Sequence, residues 1–540
     1  MSENTSCKIG CLLEKIIYVI CFGLLAVFAV NLIGEMLQAC QTMYPREYRD
    51  AANVQLTQAL LDGVNPYVLD KDTFQIVNVY TPLNSVIAAG LIKLTGMEIL
   101  TCHYYLYVFY AVAIAILVSF NVYRLVKNFG KADAIVLAMT FALSFSVAWR
   151  IGYVSTVPDL LGSLMCLCAL TALSVKVNGK TIFLSAVCSV LAFYSKQYLL
   201  AIAVIVFLYL LACEWKKAVL YFIDMVIVGF GSLIIMNFTC PLFLMYNIQF
   251  MFMQNSGTSY NEIRYSIVQL ITVAVIWVIP ILFILGYLLA SFIKNRKNKV
   301  VSMAVNEFRT SPMGPFWACL FIMPFILLYL GTNYGSYLSY QLQLIGPTVI
   351  VVGGVAITEI LHKFEKKHLL RIACILAMAV SIVPMYKILG GVQINTEGQN
   401  EAWERVYAMM DAYSETEDDM YLSPVVSAYA VEQDKWIYNN GHNFMEFLYE
   451  GTLYKKENYS SWMDVVFPGF KEFEEYSIES CALVEERVRN KDYSLIITDS
   501  SENTTQVMNA PLEDYYECIS TEYLVTGNQT WTMRCWVPKE

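Results

Sequence analysis

Two carboxylates stand three residues apart in the run Tyr44-Pro45-Arg46-Glu47-Tyr48-Arg49-Asp50. On a helix that spacing puts Glu47 and Asp50 on one face, and a positioned carboxylate can act as general base toward a hydroxyl. Arg46 and Arg49 beside them favour the ionised form. The same arginines also suit a solvated, mixed-charge loop, so the run alone leaves both readings open. Further along, single charged residues mark the ends of apolar runs: Arg150, Asp159 after Pro158, the pair Lys196-Gln197, and Arg264. A cation at such a place can neutralise a departing phosphate. Asp50, Asp159 or Glu47 can hold a divalent cation, Mg2+ or Mn2+, that shares this task; the spacing does not decide whether one binds. Taken singly, Lys196 and Arg150 also fit interfacial snorkelling, and Asp159 fits stabilisation of a helix N-terminus.

The elements that must hold these residues are membrane helices. The chain has 540 residues, 57% hydrophobic and only 15% charged, a composition for a body solvated by lipid. Eleven apolar runs of roughly spanning length lie near 16–33, 103–123, 132–149, 157–175, 181–195, 198–214, 218–238, 266–293, 313–331, 341–361 and 371–389. With a cytoplasmic N-terminus, 18 basic residues fall inside and 8 outside, as the positive-inside rule asks. That register puts the first long loop, 34–102, and the C-terminal region outside. The Pro82–Leu94 stretch is too short to span and reads as a helix on the outer membrane surface. Arg150, Asp159 and Lys196 all fall on the side of the long loop, where a charge is costly unless paired or wet.

Net charge divides the chain in the same way. Residues 391–540 carry −18 and residues 1–390 carry +9, so an acidic polar region follows a basic apolar one. The expected organisation is a membrane domain, 1–390, and an extracytoplasmic soluble α/β domain, 391–540. No basic patch lies in the soluble part, which argues against nucleic acid as a partner.

In the second region Glu401 to Ala412 and Ile478 to Val488 have helical spacing, and Tyr493 to Asp499 reads as a buried strand. Tyr523–Val525 and Thr530–Trp536 suggest a strand pair turned by Gly527-Asn528. Cys518 and Cys535 flank that pair and are candidates for a disulfide. His442 is read as a packed or loop residue. The loop 239–265, rich in Met, Phe and Asn, suits a mobile cover, and the aromatics of 331–341 suit an interfacial belt. Asn237, Asn458, Asn503 and Asn528 match the short N-glycosylation pattern.

Five elements in order carry a resemblance: Pro45-Arg46-Glu47 after the first span, Gly63-Val64-Asn65-Pro66-Tyr67, Tyr80-Thr81-Pro82-Leu83, the Arg150/Asp159 element at the fourth span, and Lys196-Gln197 after the fifth. Together they resemble the multispanning GT-C glycosyltransferases, and among these the bacterial relatives of the family 39 protein mannosyltransferases. The resemblance covers about residues 44–200 by motif and the rest by topology. The family's closely spaced Arg and Asp are here spread apart as Arg150 and Asp159, and Asp50 has no certain counterpart. The resemblance implies inverting transfer of a sugar from a polyprenyl phosphate donor to an extracytoplasmic glycan, lipid or protein acceptor at the plasma membrane. Glu47, then Asp50, would serve as base, with Lys196, Gln197, Arg150, Asp159, Tyr80 and Arg264 toward the donor and its phosphate. The rival classes are a secondary transporter, which would be expected to show paired halves absent from this sequence, and a lipid-linked glycan ligase or polymerase.

Overall fold

The computed structural model describes residues 3–40, 44–45, 48–68, 81–126, 128–130, 133–154, 158–249, 260–295, 309, 311–334, 338–364, 367–388, 397–413, 420–432, 470–500, 505–507, 509–526 and 529–540. The structure opens with a long helix, α1 (Glu3–Cys40). The first loop then holds α2 (Tyr48–Asp62) and α3 (Leu83–Thr95). A bundle follows: α4 (Ile99–Leu125), α5 (Ala134–Val154), α6 (Asp159–Val175), α7 (Gly179–Ser195) and α8 (Ala201–Cys213). It continues through α9 (Trp215–Met225), a wide turn and α10 (Gly231–Thr239). Then come α11 (Tyr260–Ile276), α12 (Val278–Asn295), α13 (Gly314–Tyr334), α14 (Leu338–Lys363) and α15 (His368–Ile388).

Each of the eleven apolar runs is helical over most of its described residues. Four described helices are long and apolar enough to cross a membrane: Ile9–Leu37, Ile99–Leu125, Trp215–Thr239 and Ile345–Lys363. Shorter apolar helices surround them. The run expected as one span at 266–293 is divided at Trp277 into α11 and α12. Pro280 supplies the reason, because it has no N–H for the carbonyl of Ile276 and its ring crowds that carbonyl.

Packing centres on α14, whose residues Ile345 to Ile357 are buried at nearly every position. It lies across α4 and α5. A Cβ on Gly354 would sit 2.8 Å from Thr140 and 2.9 Å from Val122, so glycine sets how closely these helices approach. By contrast α1 is largely exposed along its apolar face, as befits a helix bathed in lipid. α3 is inverted relative to a soluble helix. Its polar Asn84 and Ser85 are buried, while Val86 and Leu94 point outward.

After α15 the chain forms α16 (Glu397–Tyr413), β1 (Met420–Leu422), α17 (Pro424–Glu432), α18 (Phe470–Asn490) and β2 (Leu495–Thr498). A small ribbon, β3 (Gln506–Val507) with β4 (Ala510–Pro511), and the short α19 (Leu512–Tyr515) precede β5 (Tyr516–Thr526) and β6 (Gln529–Pro538). The main sheet has the order β1-β2-β6-β5, with β1 and β2 parallel and the other pairs antiparallel. The two helices and the three strands expected here are present. β1 was not expected: three residues are too few for a periodic signal. Cys518 and Cys535 are both free. Cys518 is exposed opposite Trp536, whereas Cys535 is buried opposite Ser520, with a bulge between the two pairings.

Candidate functional site

Asp159 begins α6 directly after Pro158. Lys196 follows the last residue of α7 in extended conformation, and residues Gln197–Leu200 then make one tight 3-10 turn before α8. This folds Lys196 back over the start of α6. Its Nζ lies 2.9 Å from Asp159 Oδ2, and the Tyr198 hydroxyl donates to Asp159 Oδ1. The ammonium also sits 5.3 Å from the centre of the Tyr198 ring. Asp159 is 0% exposed and Lys196 5%. A buried charge is tolerable only when paired and hydrogen-bonded, and both carboxylate oxygens meet that condition. Gly162 makes the approach possible, since a Cβ there would lie 1.9 Å from Leu199.

Gln197 extends the site. Its amide donates to Asn247 Oδ1 at 3.1 Å, and Asn247 in turn donates to the carbonyl of Phe243. That segment meets the Gly63-to-Tyr67 turn. Gly63 takes a φ of +77°, a conformation that glycine adopts without strain. Asn65 Oδ1 accepts from Tyr67 N–H, Asn65 Nδ2 donates to Thr239 O at 2.8 Å, and Leu242 N–H donates to Tyr67 O at 2.8 Å. The Tyr67 ring packs edge-on against Phe243, and burial pushes its hydroxyl above the ordinary tyrosine range. Two motifs distant in sequence thus meet through Asn247.

A second polar node lies where α2, α3 and α4 converge. Tyr110 O–H donates to Asn84 Oδ1 and Asn84 Nδ2 points at His103 Nδ1, 3.2 Å away. His103 Nε2 lies 2.9 Å from Thr57 Oγ1, which donates to Asn53 O. One neutral tautomer satisfies the whole chain: Nδ1 accepts and Nε2 donates. All of Thr57, Asn84 and His103 are buried.

Asp50 lies in the first turn of α2, 2% exposed. Glu47 and Tyr80 lie outside the described residues, as do His442 and Arg46. Arg150 is on α5, near its end, without a described side chain. Arg264 is exposed on α11, a helix that packs on α13 and α14. The structure therefore joins Asp159 to Lys196 and Gln197 to the Asn65–Tyr67 turn. Asn65 is at the opposite end of α2 from Asp50, about 20 Å along the helix at 1.5 Å per residue. Tyr198, Asn247, Asn84 and His103 were not singled out from sequence. A tyrosine two residues after the lysine, and three polar residues in otherwise apolar elements, were the available signals.

Among the described residues no group of three or more His, Cys, Asp or Glu side chains is placed to hold a metal ion. A cation on Asp159 would have to displace Lys196 or Tyr198 from its oxygens.

No protein-family model matches the chain, and no curated protein matches it in sequence. Solved structures do match in fold. ArnT from Cupriavidus metallidurans bound to undecaprenyl phosphate superposes with a TM-score of 0.52 at 10% identity, covering 95% of this chain and 98% of ArnT. Its apo state gives 0.51 at 11% identity, over 80% and 91% of the two chains. At this identity the likeness is one of fold: the chain shares the overall architecture of ArnT.

Proposed function

We propose that this protein moves a sugar from a polyprenyl phosphate carrier to an acceptor on the extracytoplasmic face of the membrane. The observation that carries the proposal is the buried Lys196–Asp159 pair. It places a lysine, held by a carboxylate, in the turn between two apolar helices. The same fold in ArnT binds undecaprenyl phosphate. In this reading residues 1–390 form the membrane domain, with its N-terminus cytoplasmic, and residues 391–540 stand outside.

The chemistry follows from the residue types. A carboxylate, Glu47 or else Asp50, takes the proton of the acceptor hydroxyl. The oxygen attacks the anomeric carbon from the face opposite the phosphate, the bond from that carbon to the phosphate oxygen breaks, and the configuration inverts. The lipid phosphate leaves with its charge, which Lys196 neutralises. Asp159 pairs with Lys196 in the absence of donor, so the phosphate has only to share or replace that carboxylate.

Mass spectrometry of envelope glycans from cells with and without the protein tests this. Loss of one sugar, with accumulation of its polyprenyl phosphate carrier, is expected. Unchanged glycans together with lost uptake of a solute would instead support a transporter.

A further inference from the structure

α2 is too polar to be a core helix, yet residues 52–57, more than a full turn of it, are buried on every side. Asp50, Asn53, Gln55 and Thr57 are 2%, 3%, 0% and 0% exposed. Two different bodies cover it. At about 100° per residue, Gln55 and Thr57 point about 200° apart, to opposite sides of the helix. Thr57 faces the membrane bundle, where it meets His103 of α4. Gln55 faces the C-terminal region, where its Nε2 donates to Ser427 Oγ of α17 at 3.2 Å. Asp50 precedes Thr57 by seven residues, close to two full turns, and so shares its bundle-facing side.

The chain just before α2 is gripped in the same two-sided way. The Tyr44 ring stacks on Trp403 of α16 with centroids 5.7 Å apart and lies 5.8 Å from the Tyr407 ring. The Tyr44 carbonyl, in contrast, accepts from Tyr104 O–H of α4 at 2.8 Å. Trp403 is 0% exposed, so this is a packed joint between α16 and the first loop. The two joints bracket positions 47 and 50.

We propose that the C-terminal region is a positioning element for α2 and for Asp50, the carboxylate in its first turn. Through Gln55–Ser427 and Tyr44–Trp403 it holds Tyr44 and α2 against the bundle and fixes the direction in which α2 presents Asp50. Gln55 and Ser427 are positioning residues, distinct from the groups that bind the lipid phosphate. The inference rests on the proposed function, because it assigns Asp50 a role in transfer. A displacement of about 1 Å in a positioned group can cost about a hundredfold in rate, so small changes at this joint should be legible in turnover.

The test uses full-length variants at matched membrane levels in cells lacking the native protein, with envelope-glycan recovery as activity and purified protein for binding undecaprenyl phosphate. Ser427→Ala and Gln55→Met should each lower transfer about tenfold, leave undecaprenyl phosphate affinity within about twofold, and speed amide exchange in residues 48–62. The double variant should be no worse than either single, and Ser427→Thr should recover most of the loss. Lys196→Met is the control and should lose both transfer and lipid phosphate binding. Full transfer by Ser427→Ala and Gln55→Met while Lys196→Met fails would overturn the positioning role and leave the function standing. Normal transfer and binding by Lys196→Met would instead overturn the function. Losses in the two single variants that simply add, with lipid phosphate binding falling in parallel, would mean general destabilisation and would also overturn the positioning role.

Discussion

Lys196 and Asp159 lie 37 residues apart in sequence and form one buried ion pair at 2.9 Å. The pair joins the start of α6 to the turn after α7, and Tyr198 completes the carboxylate's hydrogen bonding. Breaking a buried pair from one side leaves an uncompensated charge and costs about 3–5 kcal/mol, whereas replacing both partners by apolar groups is often close to neutral. Lys196→Met and Asp159→Leu should therefore each lower the melting temperature of the detergent-solubilised protein more than the double variant does. Only Lys196 should be indispensable for lipid phosphate binding. A double variant less stable than both singles would mean the pair is not the unit that holds this turn.

Gly162 gives a sharper test of the same geometry. Its absent side chain leaves room for Leu199, which a Cβ would approach to 1.9 Å. Gly162→Ala should push the turn outward, separating Lys196 from Asp159 and weakening undecaprenyl phosphate binding, with overpacking costing about 1–3 kcal/mol. Gly162→Ala combined with Leu199→Ala should recover binding. Recovery failing in a folded protein would place the importance of Gly162 elsewhere.

His103 tests the node beneath α2. His103→Leu would remove the acceptor of Asn84 Nδ2 and the ring N–H that reaches Thr57 Oγ1, at about 1–3 kcal/mol for a buried polar group left unsatisfied. The expected result is a lower melting temperature and faster amide exchange across 48–62. His103→Gln offers one donor and one acceptor in place of the ring and should recover part of the loss. An unchanged melting temperature in His103→Leu would show that the node contributes little.

Much of this architecture was legible in the chain because membrane helices announce themselves by apolar length, and because Gly63 to Tyr67, Asp159 and Lys196-Gln197 break that apolarity at defined places. Two things were not legible. Pairing of Lys196 with Asp159 depends on how tightly α6 meets the turn after α7, where Leu199 packs directly over Gly162. The burial of α2 depends on a partner more than 350 residues away, Ser427 on α17. Read locally, Tyr48 to Asp62 is a polar helix with no preferred face, and only the two bodies around it explain why Gln55 and Thr57 are both buried.

Thiol labelling tests the proposed orientation of the bundle in the membrane. The charge bias of 18 to 8 predicts that Cys518, exposed on β5, reacts with a membrane-impermeant thiol reagent in intact cells. A cysteine introduced at Lys297, two residues beyond the end of α12 in sequence, should react only after permeabilisation. The reverse pattern would put the Lys196 turn on the cytoplasmic side and remove the extracytoplasmic acceptor from the proposal.

The general base of the proposed reaction can be tested at Glu47 and Asp50. Glu47 follows the Tyr44 joint by three residues, and Asp50 is buried in the first turn of α2 on the side that faces the bundle. Either carboxylate can reach an acceptor hydroxyl only if the 44–57 segment presents it toward the donor. Losing a general base typically costs about 10²–10⁴-fold in rate. Glu47→Gln preserves shape and removes basicity, so glycan transfer should fall by that factor while undecaprenyl phosphate still binds. Asp50→Asn should cost less and should lower stability as well, because a buried carboxylate is held by its surroundings in a way an amide reproduces only in part. If Asp50→Asn abolishes transfer at full stability and Glu47→Gln keeps it, the base lies one helical turn further along, on the face shared with Thr57. If both variants transfer sugar at the native rate, neither carboxylate is the base, and the proton of the acceptor leaves by another group.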